Sequence, residues 1–348
     1  MEENQSQNKN LPAFSSSIYK MSVIIPVYNN GKYLLNRCIK SLRNSSLFNE
    51  IEIIIIDDGS EDQETIEIVK NIKKKYNNVI TYFFSKGGSG SASRPRNKGI
   101  ELSTTPFIAF LDPDNQAINN GLAILYNELF KDPTLEMVIG NYIKKSNNNS
   151  IVFDYYNKVL RNCNTNLIMD GKKYLKMSKL SSHSIQAVLV RKKIIIRNKL
   201  KMIEKALGED TLFFQELLIH SKKTKVVNTD IKIYYSNVEG SVTNDISNSF
   251  FEKYYILEKR RIFFLRNNGL LRSYMLYKYN YYFTNWYLKH LLKVSNENLE
   301  ASMQILYKIY LLYKPYLINR SSTLKSFEEY YLKKEYTQLI NIIEDAIK

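Results

Sequence analysis

Two carboxylates one residue apart, Asp112 and Asp114 in the motif D-P-D, follow directly on the apolar run F-I-A-F-L at 107–111. Side chains alternate along extended backbone, so the spacing predicts that both acids leave a strand end in the same direction. Such a pair suits Mg²⁺ or Mn²⁺, which commonly binds through one or two carboxylates together with substrate phosphates. The bland alternative is a polar turn after a buried strand, the usual meaning of an isolated D-x-D. A second acidic pair, Glu209 and Asp210 after Gly208, opens the amphipathic stretch 211–219. A carboxylate there can act as a general base, although acids in a first helical turn are also favoured by the helix dipole alone. Asp57 and Asp58 close a third apolar run, I-E-I-I-I-I at 51–56.

The elements that must hold these groups are legible around them. M-S-V-I-I-P-V at 21–27 reads as a buried strand ending near Pro26 and Tyr28, with a turn at Asn29, Asn30 and Gly31. Leu34, Leu35, Cys38, Ile39 and Leu42 recur at helical spacing before the strand at 51–56, which makes a β-α-β unit. Continuous β-branched runs alternating with helical patterns predict a parallel sheet buried on both faces, with ligands beyond the carboxyl ends of its strands. Tyr28, Asp57, Asp58, Asp112 and Asp114 all fall at such ends. Gly87-Gly88-Ser89-Gly90 is a flexible segment able to bring backbone N–H groups to phosphate, or only a linker.

In this order, S-V-I-I-P-V-Y-N, I-I-D-D-G-S, R-N-K-G-I, F-L-D-P-D and G-E-D resemble the motifs of the family 2 glycosyltransferases, over residues 21 to 245. The resemblance implies an α/β fold of the GT-A nucleotide-diphospho-sugar transferase type, a mostly parallel sheet flanked by helices. It also implies an inverting transfer from a nucleotide sugar, assisted by Mn²⁺ or Mg²⁺. Residue by residue, it implies that Pro26 and Tyr28 line the nucleotide pocket and that Asp58, with Asp57 beside it, meets the base. By the same resemblance Asp112 and Asp114 are expected to face metal and diphosphate, and Asp210 matches the family's base. A carboxylate accepts the imide N–H of uracil but repels the ring nitrogen of cytosine, which favours a UDP-sugar. Arg96 matches the family arginine that reaches the phosphates, but Arg94-Pro95 precedes it where the family has small residues, so either guanidinium can be the phosphate ligand. Residues 230–243 resemble the loop that closes over the donor. The family's histidine or arginine before G-S is missing there, leaving Asn237, Glu239 or Ser241 as substitutes.

The chain carries a formal charge of +16 over 348 residues, enough for a catalytic core and a smaller appendage. Three units are expected: a polar, disordered segment at 1–20, the catalytic domain at 21–245, and a helical domain at 246–348 rich in Tyr, Leu, Lys and Arg. The charge invites polyanions, but no nucleic-acid motif accompanies it. A glycan, cell-wall polymer or glycoprotein acceptor, or the anionic inner face of a membrane touched peripherally, accounts for it as well, and Lys259, Arg260 and Arg261 are the basic run offered for that contact. The polar start is read as neither signal peptide nor anchor, and no apolar stretch reaches the roughly 18 residues of a span. Cys38 and Cys163 give no disulfide framework, which fits a cytoplasmic setting. His183, His220 and His290 lack metal-site spacing; His183, before the apolar run 185–190, can approach an acceptor or be an idle loop residue. Three functions compete: the glycosyltransferase, a non-catalytic relative binding a polyanion or enzyme partner through its tail, and a nucleotidyltransferase, for which the Gly-rich, lysine-bearing start is lacking. An oligomer is compatible with all three.

Overall fold

The computed structural model of the protein describes residues 18–85, 87–146, 149–163, 168–236, 246 and 248–347. Among the described residues ten strands form one sheet: β1 (Met21–Val27), β2 (Ile51–Asp57), β3 (Val79–Phe83), β4 (Phe107–Phe110), β5 (Gln116–Ala117), β6 (Met137–Lys145), β7 (Ser150–Phe153), β8 (Ile168–Met169), β9 (Val188–Arg191) and β10 (Thr224–Tyr235). Their order is β3-β2-β1-β4-β9-β6-β10-β5, with β7 beside β6 and β8 beside β10. The half made of β3, β2, β1 and β4 is parallel. Beyond it the sheet is mixed, because β9 runs antiparallel to both β4 and β6.

The period of two sorts the apolar side chains onto two faces. Ile24, Ile54, Ile56, Ile108 and Phe110 enter one buried cluster, while Val23, Ile25, Ile53, Ile55 and Ala109 enter the other. Both faces are covered, as continuous Val/Ile runs require. The helices Gln63–Lys75 and Gly121–Lys131 cover the second face through Val69, Ile72, Leu122, Leu125 and Leu129. Cys38, expected on an apolar helix face, is buried there too.

The first face is covered by Ser93–Leu102, Glu209–His220 and the tail. Phe250, Phe251, Tyr254, Leu257, Phe264 and Leu265 of the helix Asn248–Asn267 belong to the same cluster as Ile24 and Phe110. The tail continues through helices that include Asn296–Tyr313, Ser322–Lys333 and Tyr336–Ile347. Its aromatic stripes are therefore core, and one of its three successive basic residues is as well. Arg261 is buried against Glu258, which also accepts from the hydroxyls of Tyr287 and Tyr313. Arg260 pairs with Glu216 at 3.2 Å, leaving Lys259 as the freest of the run. No helix among the described residues is long and apolar enough to cross a membrane.

Two local expectations are corrected. The D-P-D motif is a turn, with Asn115 N–H donating to the Asp112 carbonyl at 3.1 Å, so extended alternation does not govern the two acids. Residues 230–235 are the end of β10 rather than a loop: they pair with β6, and Lys232 and Ile233 also pair with β5. The register shifts between Val226 and Lys232 mark a bulge, and it breaks the alternation by which a strand is recognised.

Candidate active site

The rim where β1, β2 and β4 end holds the candidate residues. Ile24 O accepts from Leu111 N on the β4 side, and Val27 O accepts from Asp58 N on the β2 side. Pro26, two residues after Ile24, thus faces the β4 side just where that strand has stopped, so its missing N–H leaves no ladder bond unmade. Tyr28 follows at the rim, 39% exposed. Asp57 spends both carboxylate oxygens on its own turn: Gly59 N–H and Ser60 N–H donate to Oδ2 at 3.1 and 2.9 Å, and Ser60 Oγ donates to Oδ1 at 2.5 Å. Asp57 shapes the loop, whereas Asp58 is bound by groups from the segment across the rim.

Asp58 is buried and well furnished with donors. Arg94 Nε donates to its Oδ1 at 2.7 Å, while Ser89 N–H and Oγ donate to its Oδ2 at 2.8 and 2.7 Å. The Gly/Ser segment is thus aimed at Asp58, and it also lies over Tyr28: a Cβ on Gly88 would meet the Tyr28 ring at 2.9 Å. Arg94 packs over Phe84 with 4.3 Å from its guanidinium to the ring centroid.

Arg96 turns the other way. Two residues along the helix Ser93–Leu102, its Nη2 donates to Asp112 Oδ1 at 2.7 Å and its Nη1 to Glu209 Oε1 at 3.4 Å. Burial works against its charge, but Asp112, Glu209 and Asp210 outweigh it and hold the guanidinium above its ordinary value. Its Nε is buried without a hydrogen-bond partner among the described residues. The two arginines left open by the sequence therefore differ in place, Arg94 beside Asp58 and Arg96 beside the acidic groups. Gly99 permits this, since its Cα lies so near β1 that a Cβ would meet Ile24 Cγ2 at 2.3 Å.

Asp112 also accepts from Gln186 Nε2 at 2.5 Å, and Gln186 Oε1 in turn accepts from the Asp112 N–H and from Asn115 Nδ2. Asp114 contrasts with it: among the described residues no side-chain donor reaches its carboxylate. Burial, then the Asp112 charge, pushes that carboxyl up to about 6. A divalent cation fits this pair, because it would relieve the like-charge repulsion and take Asp114 as a ligand, with other positions left to phosphate oxygens and water. No group of three or more His, Cys, Asp or Glu able to hold a metal occurs among the described residues.

Glu209 and Asp210 begin the helix Glu209–His220 after Gly208, whose φ of +76° is a left-handed value that glycine adopts freely. Burial, then Asp210, pushes the Glu209 carboxyl up to about 7, against the pull of Arg96. Asp210 is only half-buried. Arg96 thus links the D-P-D turn to the G-E-D turn, residues more than ninety positions apart.

Three residues of this site had no motif to announce them. Gln186 sits in the one-turn segment Ile185–Ala187. Arg37 donates to the Asp114 carbonyl at 3.1 Å from between the rings of Tyr33 and Tyr235. Lys232 is 2% exposed, and burial pulls its ammonium down to about 8 while Asp112, Asp210 and Asp114 resist that fall. A lysine in a strand ordinarily reads as solvated; only its neighbours in β10, Ile231 and Ile233, hinted otherwise.

His183 is not an acceptor-facing loop residue. Its Nε2–H donates to the Gly140 carbonyl at 2.8 Å, and its ring packs against Tyr142, Tyr155 and Phe214. Burial lowers it to about 3, so it stays neutral. Residues 1–17, the candidates Asn237, Glu239 and Ser241 and the G-S-V-T sequence lie outside the described residues, as does the Cys163 side chain.

A parallel-to-mixed sheet with acidic turns at its rim and a helical appendage defines the GT-A type of transferase. The family model for glycosyl transferase family 2 matches residues 22–196, and the chain belongs to that family. It is similar to the poly(ribitol-phosphate) beta-N-acetylglucosaminyltransferase TarP of Staphylococcus aureus, 33% identical over 66% of this chain and 64% of that protein, so it spans just under two thirds of that relative's length. It is also similar to the GalNAc(5)-diNAcBac-PP-undecaprenol beta-1,3-glucosyltransferase of Campylobacter jejuni, 28% identical over 68% of this chain and 71% of that one. The fold matches the crystal structure of S. aureus TarS 1–349 in complex with UDP, with a TM-score of 0.65 and 17% identity over 94% of this chain and 90% of that one.

Proposed function

We propose that the protein is an inverting, metal-assisted glycosyltransferase that moves a hexose or N-acetylhexosamine from a UDP-sugar to a hydroxyl of a surface glycan, cell-wall polymer or glycoprotein. The observation that carries this reading is the Asp112–Arg96–Glu209 chain of contacts, which brings the D-P-D turn and Asp210 to one site. Asp210 takes the acceptor hydroxyl proton as the hydroxyl oxygen forms its bond to the anomeric carbon, and the bond from that carbon to the diphosphate breaks on the opposite face, releasing UDP. Arg96 stands beside the developing negative charge, with a buried Nε still to satisfy. Asp58 and Tyr28 hold the base end, with Arg94 bound to Asp58. Mn²⁺ or Mg²⁺, bound at Asp114 next to Asp112, would supply Lewis-acid stabilisation of the leaving diphosphate.

The acceptor is inferred from charge. A net +16 suits a polyanion, and the S. aureus relative named for poly(ribitol-phosphate) makes a phosphate-containing polymer the acceptor of first choice. The test is release of UDP from a panel of UDP-sugars with Mn²⁺, then mass spectrometry of the acceptor. Donor cleavage with UDP-sugars but not CDP-sugars supports the reading, and transfer at full rate in EDTA overturns its metal part.

A further inference from the structure

Lys232 is a cation enclosed in protein without a carboxylate to hold it. Only 2% of the residue is exposed, yet among the described residues no acid comes within ion-pair distance of its Nζ. Instead the ammonium lies over two aromatic faces, 5.4 Å from the Tyr142 ring centroid and 5.3 Å from that of Tyr234. Burying an ammonium in this way is costly without a charged partner. Pairing fixes where it sits: Lys232 stands opposite Ala117 of β5, the strand that leaves the D-P-D turn, and opposite Tyr142 of β6. Ile118 N–H donating to Ile231 O and Tyr235 N–H donating to Asn115 Oδ1 lock β10 to that turn on either side of it. Its ammonium is within electrostatic reach of Asp112, Asp210 and Asp114, and β5 beside it leaves the turn that carries two of them.

The acids of this space are differently committed. Asp112 is bound to Arg96 and Gln186, whereas Asp114 takes no side-chain donor among the described residues. An ammonium held over two aromatic rings within reach of these acids, but paired with none among the described residues, is placed for an anion that arrives from outside. Aromatic faces hold such a cation in position without neutralising it.

We propose that Lys232 is a ligand of the donor's diphosphate, sharing with the cation at Asp114 the negative charge that builds on the leaving group. This rests on the UDP-sugar reading of the site. It also makes part of the affinity for the diphosphate independent of metal, since an ammonium remains after the cation is withdrawn. Arg96 lacks this freedom because two of its nitrogens are already bound to acids.

The test compares UDP with uridine, by calorimetry, in EDTA and in Mn²⁺. Lys232→Met keeps the stem between the two tyrosines and removes the charge. The expected result is that UDP affinity in EDTA falls at least about tenfold in this variant while uridine affinity is unchanged, the size expected for a lost charge-assisted hydrogen bond. Lys232→Arg should retain most of the preference for UDP. If the Met variant melts early by circular dichroism, Lys232→Gln takes its place with the same expectation. Equal UDP affinity in wild type and folded variant overturns the assignment and leaves Lys232 as a charge balancing the acids. A wild type that binds neither UDP nor uridine overturns the nucleotide reading itself, and the assignment with it.

Discussion

At the scale of single residues, the acids divide into roles by what each already touches. Glu209 is engaged with Arg96 and buried, while Asp210 beside it is half-buried and makes no bond to a basic group among the described residues, which supports the proposal of Asp210 as the base. Asp210→Asn, nearly isosteric, should bind UDP as the wild type does and lose roughly 10²-fold or more in transfer. Single-turnover transfer beside UDP titration checks this, and normal turnover would move the base to Glu209. Glu209 makes its own prediction through pH. Its folded value of about 7 lies above the ordinary carboxylate value of 4.5, so the folded state holds the proton more tightly than the unfolded one. Its contribution to stability is fully present below 4.5 and is lost as pH rises through about 7. Melting of metal-free protein should therefore show a decline between these values that Glu209→Gln lacks, and the variant should be the more stable of the two at pH 8. An unchanged slope would mean that Glu209 is ionised throughout. Asp114→Ala should abolish the Mn²⁺ dependence of UDP binding without lowering the melting temperature, because no side-chain donor depends on that carboxylate.

At the scale of elements, the site depends on how closely the helix Ser93–Leu102 lies on β1. A methyl at position 99 would enter the space of Ile24, and the helix would have to move outward, carrying Arg94 away from Asp58 and Arg96 from Asp112. Gly99→Ala should cost about 1–3 kcal/mol in stability as an overpacking change and weaken UDP binding with it; calorimetric unfolding and UDP titration measure the two losses. Unaltered binding in a destabilised protein would show that the helix can shift without its arginines. This glycine, in R-N-K-G-I, was legible as part of a motif, and so were the parallel strands, whose unbroken β-branched runs leave little choice of structure. The directions of the two acids at D-P-D were not, because the turn, weighed only as the bland alternative, is closed by the Asn115 N–H and overrides the alternation of an extended chain. Nor was the end of β10, where a bulge upstream of Lys232 interrupts the period of two. Arg94 and Arg96 could not be told apart either: their division depends on a helix placing residues two apart on different sides, and on Asp58 and Asp112, which the chain brings near only through the sheet.

At the scale of the whole molecule, the tail is bound to the catalytic half by a shared core. A helical domain at 246–348 that stood apart from the catalytic domain could be cut off without harm to the donor site only if few contacts crossed the boundary. The contacts are of the opposite kind. Phe250, Phe251, Tyr254 and Leu257 are buried with the residues of β1, β2 and β4, and Leu257 and Tyr254 stand 3.1 and 3.4 Å from where a Cβ on Gly208 would be, directly before Glu209 and Asp210. Arg260 is paired with Glu216 on the helix that begins with those acids. Large buried side chains contribute about 2–5 kcal/mol each when deleted, against a total stability of about 5–15 kcal/mol, so losing four of them is comparable to the whole stability of a domain. A chain ending at residue 247 should therefore show no cooperative thermal transition and no UDP binding, even though Asp58, Arg96, Asp114 and Asp210 all remain in it. The comparison that isolates the cause is a chain ending at residue 320, which loses Ser322–Lys333 and Tyr336–Ile347 but keeps the helix against Gly208. That shorter deletion should lower the melting temperature and retain UDP affinity within a few fold. If instead the chain ending at 247 folds and binds UDP, the core on this face of the sheet closes without the tail, and the tail's basic surface, led by Lys259, becomes free to be tested as an acceptor contact alone.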